Sequence, residues 1–334
     1  MKIAVFLANS DHYSGGCYYA YEVTAALLAL GHEVVTYSNR LPIFLDDFKY
    51  YGKFKHVLLD ITDPACWQDI YADLYIGYPV HGTNIVAKLG RRFNKPAYSF
   101  IFDSLSYIKK ALSYEEYQKE RGYFGQIEET IKDYHLKLIG CSQWTAHGIT
   151  DWVGRSSGIS YLHPCINSEA IKRKVASQDD KGVLFISRLV QRKRFDELFQ
   201  IADQSRHRIN IVSSCFEGDA LKKVTAHKNI KVYLRISDER KFGLLSKCVG
   251  VISTAMFEGF GMYAIEAYAL GKPMIARDLP TFSEITGEQH RIVANTPDEM
   301  ANEINSLPDR NYVPNNDYNF DKFITRLKRV ISEL

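Results

Sequence analysis

The feature that most constrains this chain is an alternation, run through twice, of short continuous apolar segments with segments of helical spacing. In the first series the apolar runs are residues 3–7, 34–37, 56–59, 74–76, 97–101 and 136–140. Between the first two, Tyr19, Val23, Ala26, Leu27 and Leu30 form a helical stripe over 18–30, which stops at Gly31, a residue suited to the left-handed turn after a helix. The second series predicts strands at 183–186, 209–212, 230–234, 249–252 and 273–276, with helices at 195–202, 239–246 and 262–270. A strand apolar along its whole length is buried on both faces, and the helices supply the cover. Each series therefore predicts a parallel, doubly wound α/β sheet.

Length agrees with two such units, since the chain has 334 residues and a domain takes about 150. The polar segment 165–180, after Pro164, reads as the linker. The expected division is 1–164, then 165–317, then an amphipathic helix within 318–334 that follows a stretch rich in Asn and Asp. Charged residues are 24 % and hydrophobic ones 46 %, which excludes a disordered chain. A net charge of +3 is too mild to indicate a nucleic-acid binder. The six cysteines form no Cys-x-x-Cys pair, so they read as small apolar residues in a reducing compartment and not as a zinc site. The opening MKIAVFL is too short for a signal-peptide core, and Asn9, Ser10, Asp11 and His12 follow at once. No run approaches 18 apolar residues, so no spanning helix is expected. The expectation is a cytoplasmic protein that rests at most on a membrane surface.

Three segments carry residues suited to chemistry. Ser14-Gly15-Gly16 lies between a strand and a helix, where glycines let a ligand approach and a helix N-terminus offers free N–H groups. It is either a phosphate cradle or a tight strand-to-helix turn. It is not Gly-x-Gly-x-x-Gly, which argues against a nicotinamide enzyme. Arg188, Arg192, Lys193 and Arg194 follow the strand that opens the second series, at the end where such sheets bind ligands. They are either a diphosphate site or a solvated basic loop, and on such a loop Lys193 is expected to be exposed. Glu258, in the loop Phe257-Glu258-Gly259-Phe260-Gly261-Met262, and Glu266, on the following helix, are either ligands for sugar hydroxyls or a surface turn and a solvated helical Glu.

Taken together and in this order, these segments resemble the retaining glycosyltransferases of the GT-B fold, in glycosyltransferase family 4. The resemblance rests on Gly15-Gly16, Ala29-Leu30-Gly31-His32-Glu33-Val34, Ser187-Arg188 with Lys193, and Glu258 and Glu266 with seven residues between them. It continues through Ala267-Tyr268-Ala269-Leu270-Gly271-Lys272-Pro273 to Glu284. It implies two Rossmann-like domains facing a central cleft, the first binding the acceptor and the second the nucleotide-sugar, with the final helix crossing back to the first. It implies that Arg188 and Lys193 hold the donor diphosphate near Gly15 and Gly16. Glu258 would contact the donor sugar, with backbone groups of Gly259, Phe260, Gly261 and Met262. Glu266 would take the ribose hydroxyls, and Arg235 and Ile236 would flank the base. A histidine common in the family is replaced by Phe102, so that its role is either absent or passes to Asp103, with His81 either a second substitute or a structural histidine. Thr254-Ala255 replaces a usual Pro-Ser, and Arg235 stands where a glycine is common.

The implied reaction moves a hexose, with UDP-hexose favoured as donor, to a glycan or lipid-linked acceptor, with retention of configuration. It needs no cofactor and no metal, and no Asp-x-Asp follows a strand here. The alternatives are a sugar-nucleotide epimerase on the same fold and a non-catalytic nucleotide-sugar-binding partner of another transferase. A glycosidase also uses two carboxylates, but on one helix Glu258 and Glu266 would stand about 12 Å apart, against roughly 5–9.5 Å in such enzymes. Aromatic residues and Lys109, Lys110, Lys119 and Arg121 within 98–124 suit a glycan or an anionic membrane surface, or simply helix packing.

Overall fold

The computed structural model describes residues 1–174, 181–286, 290–307 and 312–333, which form two compact units. The first comprises Met1–Cys165 with Phe320–Leu334, the second Ile166–Asn319. The first sheet contains β1 (Lys2–Leu7), β2 (Glu33–Ser38), β3 (Lys55–Leu58), β4 (Leu74–Gly77), β5 (Ala97–Ile101), β6 (Leu136–Gly140) and β7 (Ile159–Tyr161). The second contains β8 (Val183–Ile186), β9 (Ile209–Ser213), β10 (Ile230–Leu234), β11 (Gly250–Ser253), β12 (Met274–Ala276) and β13 (Arg291–Val293). The strand orders are β3-β2-β1-β4-β5-β6-β7 and β10-β9-β8-β11-β12-β13, and every pairing is parallel. In both sheets the order reverses beside the unit's first strand, between β1 and β4 and between β8 and β11. Doubly wound sheets bind ligands at this point, outside the carboxyl ends of the strands.

The buried strands lie where the apolar runs put them, but the run 56–59, expected to be buried, forms the edge strand β3, with Val57 and Leu58 exposed. β7 and β13 went unread because each is a three-residue, partly exposed edge strand with no continuous apolar run. The first helix spans Gly15–Ala29 and not 18–30, so Gly15 and Gly16 are its first two residues and not a loop before it. Residues 165–174 are not an open linker. Cys165, Ile166 and Asn167 are buried, and a short helix, Ser168–Lys172, follows. The rest of that segment, 175–180, lies outside the described residues.

The final helix, Phe320–Glu333, packs with the first unit against Gly15–Ala29. Phe323, Leu327 and Val330 recur at intervals of four and three, and all three are buried. The Phe323 ring meets Tyr19 at 6.1 Å, and the Tyr98 hydroxyl donates to the Ile331 carbonyl at 3.1 Å. On the other side of β1, the helix His81–Phe93 approaches β1 and β4 through Gly82, where a Cβ would run into the Phe6 carbonyl oxygen. That obstacle is backbone and has no rotamer to change. Gly82→Ala should therefore lower stability by about 2–3 kcal/mol, read as the loss in a urea melt. A cost under about 0.5 kcal/mol would mean that the helix shifts freely.

Candidate functional site

The candidate donor residues of the second unit gather at its reversal point. Arg188 and Lys193 follow β8, and Glu258 follows β11, the neighbouring strand. The short turn Gln191–Lys193 returns Lys193 toward the sheet, where it is 7 % exposed and meets the buried Glu258 at 2.5 Å, Nζ to Oε1. This overturns both the exposed position expected for Lys193 and the solvated reading of Glu258. Burial pushes the Lys193 ammonium down, Glu258 opposes that, and Arg192 and Arg188 add to it. Arg188 is half-buried.

Further polar groups hold the pair. The Tyr263 hydroxyl donates to the same Oε1 at 2.8 Å and lies 2.7 Å from Ser253 Oγ. Burial and then the Glu258 charge hold this phenol well above the usual tyrosine range, which makes it a donor. Thr281 Oγ1 donates to the Glu258 carbonyl at 2.7 Å, and Thr254 Oγ1 to the Lys193 carbonyl at 2.6 Å. Arg277 donates to the Thr254 carbonyl and pairs with Glu197 at 2.6 Å. Tyr263, Thr254 and Arg277 were missed as site residues. Their only sequence signal is a polar group inside an otherwise apolar run.

Glu258 lies in the loop before the helix Met262–Ala269, so the two glutamates do not share a helix. Gly261 caps that helix with φ +84°, and a Cβ there would stand 2.8 Å from the Phe282 ring. Only glycine fits both demands. Gly259 and Phe260 are buried and Met262 is half-buried. The helix reads MYAIEAYA and is buried almost all round, so Glu266, at 5 % exposure, cannot face water. It pairs instead with Lys241 at 2.6 Å. Arg235, after β10, is exposed with φ +49°, a left-handed conformation that L side chains rarely adopt. Ile236 follows, and Ser237 caps the helix Asp238–Lys247.

The remaining candidates belong to the first unit. Gly15 and Gly16 open a helix whose N-cap, Ser14, makes no side-chain cap, so the first N–H groups are left to a ligand or to water. The Phe102 ring stands against Gly16, where any Cβ would strike it, and it stacks with Tyr78 at 5.9 Å. Asp103 follows, half-buried, after β5. His81 is the first residue of the helix His81–Phe93 and is also half-buried.

Two expectations follow. Lys193→Ala leaves a buried carboxylate without its cation and should cost about 3 kcal/mol of stability, measured by chemical unfolding. An unchanged melt would mean that Glu258 moves to water. Tyr263→Phe removes one of two donors to Oε1 and should cost about 1 kcal/mol, with the Lys193–Glu258 pair intact in a crystal structure.

Residues 167–316 match the family model described as glycosyl transferases group 1, a span within the second unit. A protein of Klebsiella pneumoniae, known as an uncharacterized 41.2 kDa protein in cps region, is 24 % identical over 197 residues. That match covers 57 % of this chain and 53 % of the other, so it spans about half the length of the curated relative. The Anabaena protein Alr3699/HepE, solved in complex with UDP-glucose, superposes with a TM-score of 0.79 at 15 % identity, over 100 % of both chains. Sucrose-phosphate synthase from Thermosynechococcus elongatus superposes with a TM-score of 0.74 at 14 % identity, over 99 % of this chain and 98 % of the other. The whole chain thus has the GT-B architecture of two parallel Rossmann-like sheets, and its second unit carries the match to the group 1 glycosyl transferases.

Proposed function

We propose that this protein is a retaining, metal-independent glycosyltransferase that moves a hexose from a nucleoside-diphosphate sugar, UDP-hexose favoured, to a hydroxyl of a glycan or lipid-linked acceptor. The observation that carries the reading is the buried Lys193–Glu258 pair at the point where the strand order of the second unit reverses. Burying two charges is costly, and a structural role would be served as well by an apolar pair. A pair kept at the ligand end of the sheet is accounted for by a ligand that needs a cation and a carboxylate together. The family match over 167–316 and the UDP-glucose bound by the Anabaena protein support the same donor class.

In this reading Lys193 and Arg188 neutralise the diphosphate as it leaves, a fixed-charge effect that is strongest where charge develops. Glu258 and the backbone of Gly259–Met262 hold the hexose. Glu266 takes the ribose, Arg235 and Ile236 flank the base, and Gly15 and Gly16 offer N–H groups to phosphate. The acceptor hydroxyl attacks from the face that the diphosphate leaves, and a phosphate oxygen takes its proton, so configuration is retained. Phe102 stands where the family's histidine acts, and Asp103 or His81 takes its role. The acceptor binds the first unit, and the aromatic and basic helices Leu105–Ala111 and Tyr114–Phe124 offer a face to a glycan or an anionic membrane.

Transfer from radiolabelled UDP-hexose tests the reading. Lys193→Ala should lower kcat about 10²–10³-fold, while Arg192→Ala and Arg194→Ala should do much less. Equal, mild losses in all three would make the segment a generic basic loop. EDTA should leave the rate unchanged, and loss rescued by manganese would overturn the metal-free mechanism. A product that still bears its nucleotide, with one sugar carbon inverted, would make the protein an epimerase.

A further inference from the structure

Lys241 takes no part in the scheme above, yet it sits at the centre of three buried charges. It is 6 % exposed, and its ammonium lies 2.7 Å from Asp238 Oδ1 and 2.6 Å from Glu266 Oε1. Asp238 is itself 3 % exposed and stands one turn earlier on the helix Asp238–Lys247, while Glu266 belongs to a different helix. Apolar side chains at all three positions would fill the same volume without the cost of desolvating charges. The arrangement therefore needs a reason beyond packing.

The geometry around Glu266 supplies one. Its Oε1 accepts from Lys241, and among the described residues no group donates to Oε2. Glu258 is arranged alike: Lys193 and Tyr263 both take Oε1, and among the described residues nothing donates to Oε2. Each carboxylate is thus fixed by one oxygen and keeps the other uncommitted. Burial pulls Glu266 toward its protonated form, Lys241 opposes this, and Asp238 adds to it. A protonated carboxyl spends its proton as a donor, whereas a ribose hydroxyl donates best to a carboxylate. Burial likewise pulls the Lys241 ammonium down, but Asp238 and Glu266 outweigh it and hold the group well above the usual lysine range. Lys241 therefore stays charged wherever Glu266 has to be ionised. The same helix begins at Ser237, directly after Arg235 and Ile236, so its first turn joins the base-flanking loop to the ribose carboxylate.

We infer that Lys241, braced by Asp238, is the positioning residue of the nucleoside subsite, fixing Glu266 by Oε1 so that Oε2 accepts from a ribose hydroxyl of a nucleoside diphosphate. This rests on the donor reading proposed above. Lys241 itself touches no substrate, so removing it should erase the recognition of ribose and leave the recognition of phosphate.

The experiment is calorimetric binding of UDP, 2′,3′-dideoxy-UDP and inorganic pyrophosphate to the full chain and to its Lys241→Met and Glu266→Gln variants, with the guanine and adenine pairs run alongside. The wild type should prefer the ribonucleotide by about ten- to a hundredfold, the range of a hydrogen bond to a charged group. Both variants should bring that ratio to within about twofold and leave pyrophosphate affinity unchanged. A lysine that only supports the fold would lower the melting temperature and weaken both nucleotides alike. A ratio kept in Lys241→Met overturns the inference. Should that variant not fold, because two carboxylates then face each other unscreened, Asp238→Asn/Lys241→Met removes one of them and is judged by the same ratio. Failure of the wild type to bind any of the ribonucleotides would sink the donor reading and this inference with it. Binding without a preference for ribose would sink this inference alone.

Discussion

The ion pair between Lys193 and Glu258 sets the terms for the ligand end of the second unit. Strands that are apolar along their length, covered by helices on both faces, leave little water at their carboxyl ends. A carboxylate placed there has to bring its own cation. Glu258 takes Lys193 from the segment after the adjacent strand, and Glu266 takes Lys241 from a neighbouring helix. The backbone then has to hold both lysines in place. Thr254 fastens the Lys193 carbonyl, Arg277 fastens the Thr254 carbonyl, and Glu197 satisfies the other arm of Arg277. A chain of polar contacts through the interior follows from two buried acids, and a half-satisfied chain of this kind would be worse than none.

That logic separates what was legible in the sequence from what was not. The two sheets were legible because continuous apolar runs such as 97–101 admit one environment, the middle of a parallel sheet. β7 and β13 were not, because an edge strand of three residues leaves no periodicity to read. Glu258, Glu266, Arg188 and Lys193 could be named from their order along the chain. The burial of Lys193 could not, since four cations within seven residues look solvated until one of them is seen to turn inward. Lys241 was invisible for a similar reason. Its partner Glu266 lies 25 residues away, and the local pairing with Asp238 looks like an ordinary solvated helix pair. One clue did exist: MYAIEAYA contains a single charge in an otherwise uncharged helix, and such a helix is buried, so its glutamate needed a cation from elsewhere.

In the first unit the decisive constraint is steric. Gly16 is not merely permissive at a helix start, because the Phe102 ring occupies the space that a side chain would need. Phe102 in turn belongs to a stack with Tyr78, which itself stacks on Phe100 at 5.2 Å. The Phe102 ring is therefore packed into place on both sides. An apolar face that closes on a glycine at a helix N-terminus leaves the neighbouring N–H groups as the polar features of that surface. Phe102 offers no polar side chain there, and the half-buried Asp103 and His81 are the candidates proposed in its stead.

Under the proposed donor reading, Lys193 has to serve a diphosphate while it is paired with Glu258. An ammonium carries three donors, and the Glu258 contact uses one of them. Lys193 need not leave its carboxylate to meet a phosphate oxygen. On that reading it bridges the two, as a fixed cation between the carboxylate and the departing phosphate. In such an arrangement the carboxylate on Lys193 offsets part of its charge while the site is empty, which lowers the cost of keeping it buried. The full charge is called on only as negative charge gathers on the leaving group. Stabilisation that grows toward the transition state raises turnover, whereas stabilisation already complete in the bound ground state does not. On the proposed reading the buried ion pair is the resting form of the donor site, with its geometry set in advance.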